Sequence, residues 1–283
     1  MAELVTRRQI LAGLASFTAS RVSPLLSFWV FGLLKPTVLH IYPQMNSRLH
    51  CHSSYGEEII EGNRVLRVEA SSTPISVTGA DRPVLFLLEI PGVLRRRYLG
   101  NLTITSDGNL LRAVVSMDRE IAVSSIVGAE LPLATTPLAA LAAQAVAVRS
   151  FLCAARYPRH GEAQFCDTTH CQFLRAPAAA GSPADQAVRL THGLVLKAES
   201  SMIPAQYSAA CGGRTDSAEM DHYRYRSVIC EPCRRNYTPR RGHGLGLCQT
   251  GAIGLAQAGW RWQEIAGKYY PGLVIGSVIS NIG

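Results

Sequence analysis

The stretch that decides the fold is residues 138–157, which read LAALAAQAVAVRSFLCAARY. It follows Thr135-Thr136-Pro137, a pattern typical of a helix start with threonine as the N-cap and proline in the first turn. No glycine or proline interrupts it, and Leu, Ala and Val occupy every face. The sequence therefore predicts one long helix that is buried all round. Gln144 and Arg149 are its strongly polar interior residues, and both need partners if they are buried.

A single acidic residue stands just before this helix. Glu130 is the only ionisable side chain between Glu120 and Arg149, within Ile126-Val-Gly-Ala-Glu-Leu-Pro132. A carboxylate among apolar groups loses hydration, which raises its pKa and keeps a proton available to a general acid. The alternative is an ordinary glutamate that reaches solvent at the end of a strand, and the pattern alone does not exclude it.

The remaining text indicates an α+β fold. Residues 38–126 contain short apolar runs broken by Gly, Asp, Asn and Pro, so we expect a β-rich N-terminal portion. Ser106-Asp-Gly-Asn109 is a hairpin signal. Residues 127–280 carry the long buried helix and then a loop-rich C-terminal portion, which we expect to form a groove.

Composition limits the function classes. The 283 residues are 47% hydrophobic and 17% charged, which rules out a chain that is disordered as a whole. The net charge is +8, and the cations are almost all arginines, which bind carboxylates and phosphates bidentately. Because these arginines are dispersed rather than grouped in a basic block, we expect no nucleic-acid partner.

The N-terminus resembles an export signal. Residues 1–20 read MAELVTRRQILAGLASFTAS, with Arg7-Arg8 before an apolar stretch and small residues, as in twin-arginine signals. A second apolar run covers residues 22–34. We expect residues 1–37 to be an export signal or membrane anchor, which places the protein in the periplasm or cell envelope. An ordinary buried N-terminal helix is the alternative.

A zinc-type cluster follows the long helix. His160, Cys166, His170 and Cys171 offer two imidazoles and two thiolates within twelve residues, which suits tetrahedral Zn²⁺. Four ligands would make the zinc structural, whereas three would leave an open position for catalysis. A Cys166 disulfide beside two uninvolved histidines is the alternative.

The C-terminal third is rich in glycine, cysteine and aromatic residues. Cys230-Glu-Pro-Cys233 is a lone CxxC that suits a disulfide, half a metal site or a redox pair. Cys211 and Cys248 lie beside glycine-rich text, and a cysteine nucleophile paired with His243 is conceivable. The glycine run at 242–251 opens a helix and makes a poor phosphate loop, because no lysine follows it. Sugar stacking is compatible with several aromatic residues here, most of which we expect in the core: Tyr207, Trp260, Trp262, Tyr269 and Tyr270.

Taken in order, these segments resemble the stage II sporulation protein D / LytB amidase-enhancer (SpoIID/LytB) family. The resemblance covers roughly residues 38–280. The segments that carry it are Tyr98-Leu-Gly100, Val127–Pro132, Leu141–Ser150, Cys166–Gln172, Tyr207–Thr215, the His243 glycine run and Tyr269–Gly272. The chain departs from the family at Val148-Arg-Ser150, often Ala-Arg-Thr, and at Cys248-Gln-Thr-Gly-Ala252, often Ser-Gln-Tyr-Gly-Ala.

The resemblance implies a protein that acts on peptidoglycan. Sporulation members are lytic transglycosylases whose catalytic glutamate maps onto Glu130, and some hold zinc at positions that map onto His160, Cys166, His170 and Cys171. The predicted function is therefore cleavage of glycan strands to 1,6-anhydro-muramyl products. The residues predicted to bind glycan or to orient Glu130 are Gln144, Arg149, Tyr207, His243 and Gln249.

Two other functions are open at this point. Amidase-enhancer relatives assist another enzyme, so the chain could be a non-catalytic wall-binding protein with a cell-wall N-acetylmuramoyl-L-alanine amidase as its partner. A zinc-dependent hydrolase that uses the 160–171 cluster is the third hypothesis. The spore role itself does not transfer with the resemblance.

Overall fold

The structure is a computed structural model that describes residues 25–44, 47–80, 83–132, 134–155, 158–220 and 223–278. The predicted export signal at residues 1–20 lies outside this part of the chain. The described residues divide into two compact units. Unit 1 comprises the described parts of Met1–Ala129 and Tyr157–Pro177, and unit 2 those of Glu130–Arg156 and Ala178–Gly283.

Unit 1 is built on a sheet of ten strands within the described residues. Its strands are β1 (Leu26–Val30), β2 (Val38–Pro43), β3 (Leu49–Ser53), β4 (Gly56–Ile60), β5 (Leu66–Glu69), β6 (Ile75–Thr78), β7 (Val84–Ile90), β8 (Leu94–Asp107), β9 (Leu110–Met117) and β10 (Phe165–Cys166). The hairpin predicted around residues 106–109 is confirmed, since β8 and β9 pair from Asn101↔Ser116 to Asp107↔Leu110.

The long strand β8 organises unit 1. Its first half pairs with β7, and its second half lies between β6 and β9. Alternate residues of β9 are buried, as expected for a sheet with one covered face. At the far side of β9, β1 pairs antiparallel with it and parallel with the short β10. Residues 26–30 of the segment predicted as signal or anchor therefore form a strand of this sheet.

Helix α1 (Arg119–Glu130) follows β9, and most of its residues are buried. The β-rich portion therefore ends at Met117 rather than at residue 126, and Glu130 lies at the end of a helix and not of a strand. The run from Ile121 to Val127 is apolar apart from two serines, which pack in helices as readily as their neighbours.

Unit 2 is built around α2 (Leu138–Ala154), which confirms the predicted long buried helix. Every residue from Ala140 to Leu152 is buried. The predicted threonine cap is wrong. Pro137 occupies the N-cap position, and the Thr136 hydroxyl donates instead to the carbonyl of Pro132 at 2.8 Å.

Helices and very short strands complete unit 2. The helices are α3 (Pro183–Leu190), α4 (Glu231–Arg235), α5 (Gln249–Gln257) and α6 (Trp262–Tyr269). The strands are β11 (Leu194–Ala198), β12 (Ser201–Met202), β13 (Tyr207–Ser208), β14 (Ala218–Met220), β15 (Tyr223–Tyr225), β16 (Leu247–Cys248) and β17 (Val274–Ser277). Helices α3, α5 and α6 and strand β11 all pack on α2.

The α+β class and the β-rich N-terminal portion are thus confirmed. Among the described residues between β12 and α5, regular structure is confined to strands of two or three residues and a helix of five. Among the described residues, no helix combines the length and the apolar character that a membrane crossing requires.

Candidate active site and metal-binding clusters

The Glu130 carboxylate meets side chains from two distant segments of unit 2. The Tyr207 hydroxyl lies 3.5 Å from Glu130 Oε1, and the Gln249 amide Nε2 lies 3.3 Å from Oε2. Glu130 is half-buried, at the C-terminal end of α1. Both contacts exceed the usual hydrogen-bond length, as is common at catalytic carboxyls before substrate binds. Three of the residues predicted for the site therefore meet at one carboxylate.

Backbone pairing sets the positions of Tyr207 and Gln249. Strand β13 pairs parallel with β16, with Tyr207 opposite Leu247 and Ser208 opposite Cys248. Gln249 is the next residue after β16 and the first of α5. Gly246, directly before β16, has a φ of +65°, and a Cβ there would collide with the carbonyl oxygen of Gln206. The glycine run therefore lets the two strands approach closely enough to bring Tyr207 and Gln249 together.

His243 lies in the same glycine-rich loop. Its Nδ1 accepts a hydrogen bond from the backbone N–H of Leu245 at 3.0 Å, and its ring also interacts with the backbone of Tyr207. Desolvation lowers the pKa of His243, partly offset by the Tyr207 backbone and the Asp216 carboxylate. His243 thus borders Tyr207 as an imidazole that favours its neutral form.

Arg149 and Gln144 do not join these contacts. The Arg149 side chain is fully buried, and its guanidinium donates to the carbonyls of Leu194 at 3.1 Å and of Val188 at 3.5 Å. It therefore braces α2 against β11 and α3. Gln144 is also fully buried, and neither of its amide atoms has a hydrogen-bond partner among the described residues. Leaving such a group unsatisfied costs about 1–3 kcal/mol, so a buried amide of this kind calls for an explanation such as an ordered water or a role at a site.

The aromatic residues divide as expected. Tyr269 and Tyr270 are buried in the core of unit 2, where the Tyr270 hydroxyl donates to the Gln206 carbonyl at 2.7 Å. They are not available as stacking faces. Trp260 is more exposed, with the Lys268 ammonium over its ring at 5.9 Å.

In unit 1 the four predicted metal ligands converge. One ligand atom from each of His160, Cys166, His170 and Cys171 lies within 4.8 Å of the others. His160 Nε2 is 3.1 Å from Cys171 Sγ, and His170 Nδ1 is 3.4 Å from Cys171 Sγ and 3.8 Å from Cys166 Sγ. For a tetrahedral zinc with Zn–S of about 2.3 Å and Zn–N of about 2.05 Å, the sulfur–nitrogen edge is about 3.6 Å. The cluster therefore has the dimensions of a single-ion site.

The two thiols of this cluster influence each other strongly. Their mutual hydrogen bond is the largest cause of both shifts: it lowers the pKa of Cys166 to about 4 and raises that of Cys171. The Thr168 hydroxyl, 3.2 Å from Cys166 Sγ, also favours the Cys166 thiolate. A thiolate held next to a second sulfur and two imidazoles is an arrangement that a cation would stabilise.

An unpredicted residue, Asp167, fixes the ligand loop to the sheet. Its carboxylate is buried, and Oδ2 accepts from Arg96 Nη1 at 2.5 Å and from the Tyr98 hydroxyl at 3.0 Å, both on β8. The backbone carbonyl of His160 accepts in turn from the Arg112 guanidinium on β9. Asp167 directly follows the ligand Cys166 in the sequence, so an acidic residue inside the motif was the signal that could have revealed it.

A second sulfur cluster lies in unit 2. Cys211, Cys230, Cys233 and Cys248 are buried, and their Sγ atoms all lie within 4.8 Å of one another. The sequence left open whether Cys230 and Cys233 form a disulfide, half a metal site or a redox pair. It did not connect that pair with Cys211 or Cys248. Cys211 and Cys248 are each at most 1% exposed, so their thiols are poorly accessible to a substrate. This burial argues against a nucleophilic role for either residue.

Comparison with known protein families supports the SpoIID/LytB resemblance. The family model described as Stage II sporulation protein (SpoIID) matches residues 107–197. Residues 107–197 are therefore similar to the SpoIID family. The match spans about a third of the chain and includes Glu130, Gln144, Arg149 and the four ligands of the unit 1 cluster. Tyr207, His243 and Gln249 follow the matched residues. No curated protein matched the chain.

Asp167 provides a test of how unit 1 holds its ligand loop. We expect Asp167→Asn to lower the free energy of unfolding by about 3 kcal/mol, the low end for breaking a buried ion pair, because Arg96 is partly exposed. The matched control is Glu58→Gln, whose partner Arg64 is exposed, with an expected loss below about 1 kcal/mol. Urea denaturation measures both, and equal losses would contradict the anchoring role.

Proposed function

We propose that this SpoIID-domain protein is a peptidoglycan lytic transglycosylase with Glu130 as its single general acid and base. The observation that carries the proposal is the meeting of Glu130, Tyr207 and Gln249 at one carboxylate. The family match adds support, because it includes Glu130 and points to a cell-wall related protein.

The proposed reaction needs one carboxyl group. Protonated Glu130 donates its proton to the glycosidic oxygen between N-acetylmuramic acid and N-acetylglucosamine. The Glu130 carboxylate then accepts the proton of the muramyl 6-hydroxyl as that oxygen attacks the anomeric carbon. One C–O bond breaks and one forms, a 1,6-anhydro ring results, and no water is consumed. General acid catalysis of this kind contributes on the order of 10²–10⁴ in rate.

Most described acids of unit 2 other than Glu130 are held by cations, which supports this reaction over ordinary hydrolysis. Hydrolytic glycosidases use two carboxyl groups that face the same bond. Four described acids of unit 2 are instead paired with cations: Asp185 with Arg189, Asp216 with Arg240, Glu231 with Lys268, and Glu264 with Arg261.

The residues around Glu130 have separate roles in this proposal. The Tyr207 hydroxyl and the Gln249 amide are both donors that hold the carboxylate once it has given up its proton. His243 borders Tyr207 and can contact the glycan. Gln144 is fully buried, so its amide is proposed to hold a bridging water rather than to contact the glycan directly. Arg149, which is committed to backbone carbonyls, positions α2 and does not bind substrate. The proposed location is the cell envelope, which is supported both by the peptidoglycan substrate and by the twin-arginine-like N-terminus.

Glu130→Gln tests the proposal directly. We expect release of 1,6-anhydro-muramyl products from peptidoglycan stripped of stem peptides to fall by about 10²–10⁴-fold, because the amide cannot donate the proton. Binding to the same peptidoglycan in a sedimentation assay should persist. Glu219→Gln, which removes an exposed acid of unit 2, is the matched control and should leave product release unchanged. Products are identified by mass spectrometry.

The amidase-enhancer function predicts a different result. In that case the purified chain would release nothing by itself, and it would accelerate an added N-acetylmuramoyl-L-alanine amidase equally well with Glu130 or Gln at position 130. This outcome would replace the transglycosylase proposal.

Gln144→Leu separates function from stability. Because its buried amide has no described partner, the apolar substitute of similar size should leave the free energy of unfolding unchanged or raise it by about 1 kcal/mol. Product release should nevertheless fall, since the bridging water that this amide is proposed to hold is lost with it. A protein that is less stable but equally active would show that Gln144 has only a structural role.

We further propose that His160, Cys166, His170 and Cys171 bind one structural Zn²⁺. The ligand set is two imidazoles and two thiolates at tetrahedral spacing, and four protein ligands leave no position for a reacting water. Bound zinc would cross-link the 160–171 loop. This closed ligand set also speaks against the zinc-dependent hydrolase hypothesis.

Cys166→Ala should remove one equivalent of zinc from the purified chain, as measured by elemental analysis, because three ligands hold a structural ion weakly. Cys51→Ser is the control, since Cys51 lies on β3 outside both clusters, and its zinc content should equal that of the unmutated chain. Unchanged zinc in the Cys166 variant would refute the ligand assignment.

A further inference from the structure

The four buried cysteines of unit 2 come from three separate segments. Cys211 lies in the loop after β13, Cys230 is the N-cap residue of α4, Cys233 lies within α4, and Cys248 ends β16 and caps α5. None is more than 1% exposed. Collecting four thiols in one buried place, from residues up to 37 positions apart, is unusual for side chains that serve only as packing.

The spacing of the sulfur atoms suits one tetrahedral metal ion. All four lie within 4.8 Å of one another, and Cys233 Sγ is 3.5 Å from Cys248 Sγ. Tetrahedral zinc with four Zn–S bonds of about 2.3 Å has sulfur–sulfur edges of about 3.8 Å. A disulfide needs about 2.05 Å, and all four cysteines are free. A cluster of several iron atoms would not fit between sulfurs this close.

Hydrogen-bond donors surround the sulfurs, as outer-shell groups do in metal sites. The backbone N–H of Gly251 points to Cys248 Sγ at 3.3 Å, and the Tyr269 hydroxyl lies 3.2 Å from Cys230 Sγ. The backbone of Gly213 also interacts with the Cys211 sulfur. A Cβ at position 251 would collide with the Tyr269 hydroxyl and approach Cys230 Sγ to 2.5 Å. Glycine at this position is therefore what lets α5 approach the sulfur cluster.

We propose that Cys211, Cys230, Cys233 and Cys248 bind a second structural Zn²⁺, separate from the ion of the 160–171 cluster. Neither cluster borrows a ligand from the other, so the two sites should fill and empty independently. Bound zinc would tie the 211 loop, α4 and the start of α5 together.

The position of this site has a consequence that rests on the proposed function. Cys248 directly precedes Gln249 and pairs with Ser208, the neighbour of Tyr207. The backbone N–H and hydroxyl of Thr250 both donate to the Ala209 carbonyl, which lies two residues before Cys211. The ion would therefore hold in place the two segments whose side chains contact Glu130.

Metal content and thiol state test the proposal without any activity assay. The full chain should contain two zinc ions, and a Cys230→Ser/Cys233→Ser variant should contain one. The Cys166→Ala chain should also contain one, and the combined variant none. Unfolded with a chelator and without a reductant, the unmutated chain should show eight reactive thiols. Cys153→Ala, outside both clusters, is the control and should keep two zinc ions.

If the double variant does not fold, thiol counting and metal analysis of the unmutated chain still test the proposal. Four reactive thiols instead of eight, with peptide mapping that links the unit 2 cysteines as disulfides, would overturn the proposal. So would a single zinc that disappears with Cys166→Ala, or iron in place of zinc at the second site.

Hydrogen exchange tests the positional consequence. The Cys166→Ala chain, which holds only the second ion, is compared before and after chelation. Amides in residues 207–215 and 247–252 should lose protection when zinc is removed, whereas those of β8 and β9 should not. Unchanged protection in both segments would overturn the positional claim. Glu130→Gln should still contain two zinc ions, so a failure of the transglycosylase proposal would leave the zinc result intact.

Discussion

The fold of unit 2 depends on covering one helix on all of its sides. A helix with Leu, Ala and Val on every face has no side that is stable in water, so α2 must be enclosed. Helices α3, α5 and α6 and strand β11 provide that cover within unit 2. The charge of Arg149 inside this packing is tolerated because backbone carbonyls accept its guanidinium protons. The enclosure also fixes the start of α5, where Gln249 lies.

The segments that carry the candidate sites have little regular structure of their own. Strands of two residues and a helix of five contribute few backbone hydrogen bonds, so side-chain cross-links must supply order. In unit 1 the link is the Asp167 carboxylate between β8 and the ligand loop. In unit 2 the proposed zinc at the sulfur cluster would have the equivalent role. Each of these links would join a loop to a helix or strand. The first lies beside the proposed zinc ligands of unit 1, and the second beside the segments of Tyr207 and Gln249.

How far the sequence predicts this protein depends on how local each feature is. Three features are each contained in one continuous stretch of sequence: the β8–β9 hairpin, the buried helix α2 and the 160–171 ligand set. The structure forms the hairpin and the buried helix as predicted, and it brings the four side chains of the ligand set close to one another. The expected end of the β-rich portion at residue 126 was wrong, because a short apolar run suits a strand or a buried helix equally and residues 119–130 form α1. The Thr136 cap was wrong because the hydroxyl found a carbonyl acceptor instead.

The sequence did not predict the sulfur cluster of unit 2 or the hydrogen-bond partners of Arg149, and the reason is different. Cys211, Cys230–Cys233 and Cys248 are separated by loops whose path no periodicity reveals, and buried carbonyls that accept from an arginine leave no trace in composition. For Glu130 the residue itself could be predicted, but its contacts could not. Its isolation in apolar text was visible, but its partners Tyr207 and Gln249 are 77 and 119 residues away.

These distances bear on the chemistry itself. A carboxyl that donates and then accepts one proton must keep its place through both steps, and α1 alone fixes only its backbone. The hydroxyl and the amide that reach Glu130 come from β13 and α5, which are joined by parallel pairing and by the close approach that Gly246 permits. The Ser-to-Cys departure from the family pattern at position 248 falls at this junction. A thiol there would add a ligand for the proposed second zinc next to Gln249 without altering the residue that contacts Glu130. The chain would thereby reinforce the support of the site while leaving the contacting side chain unchanged.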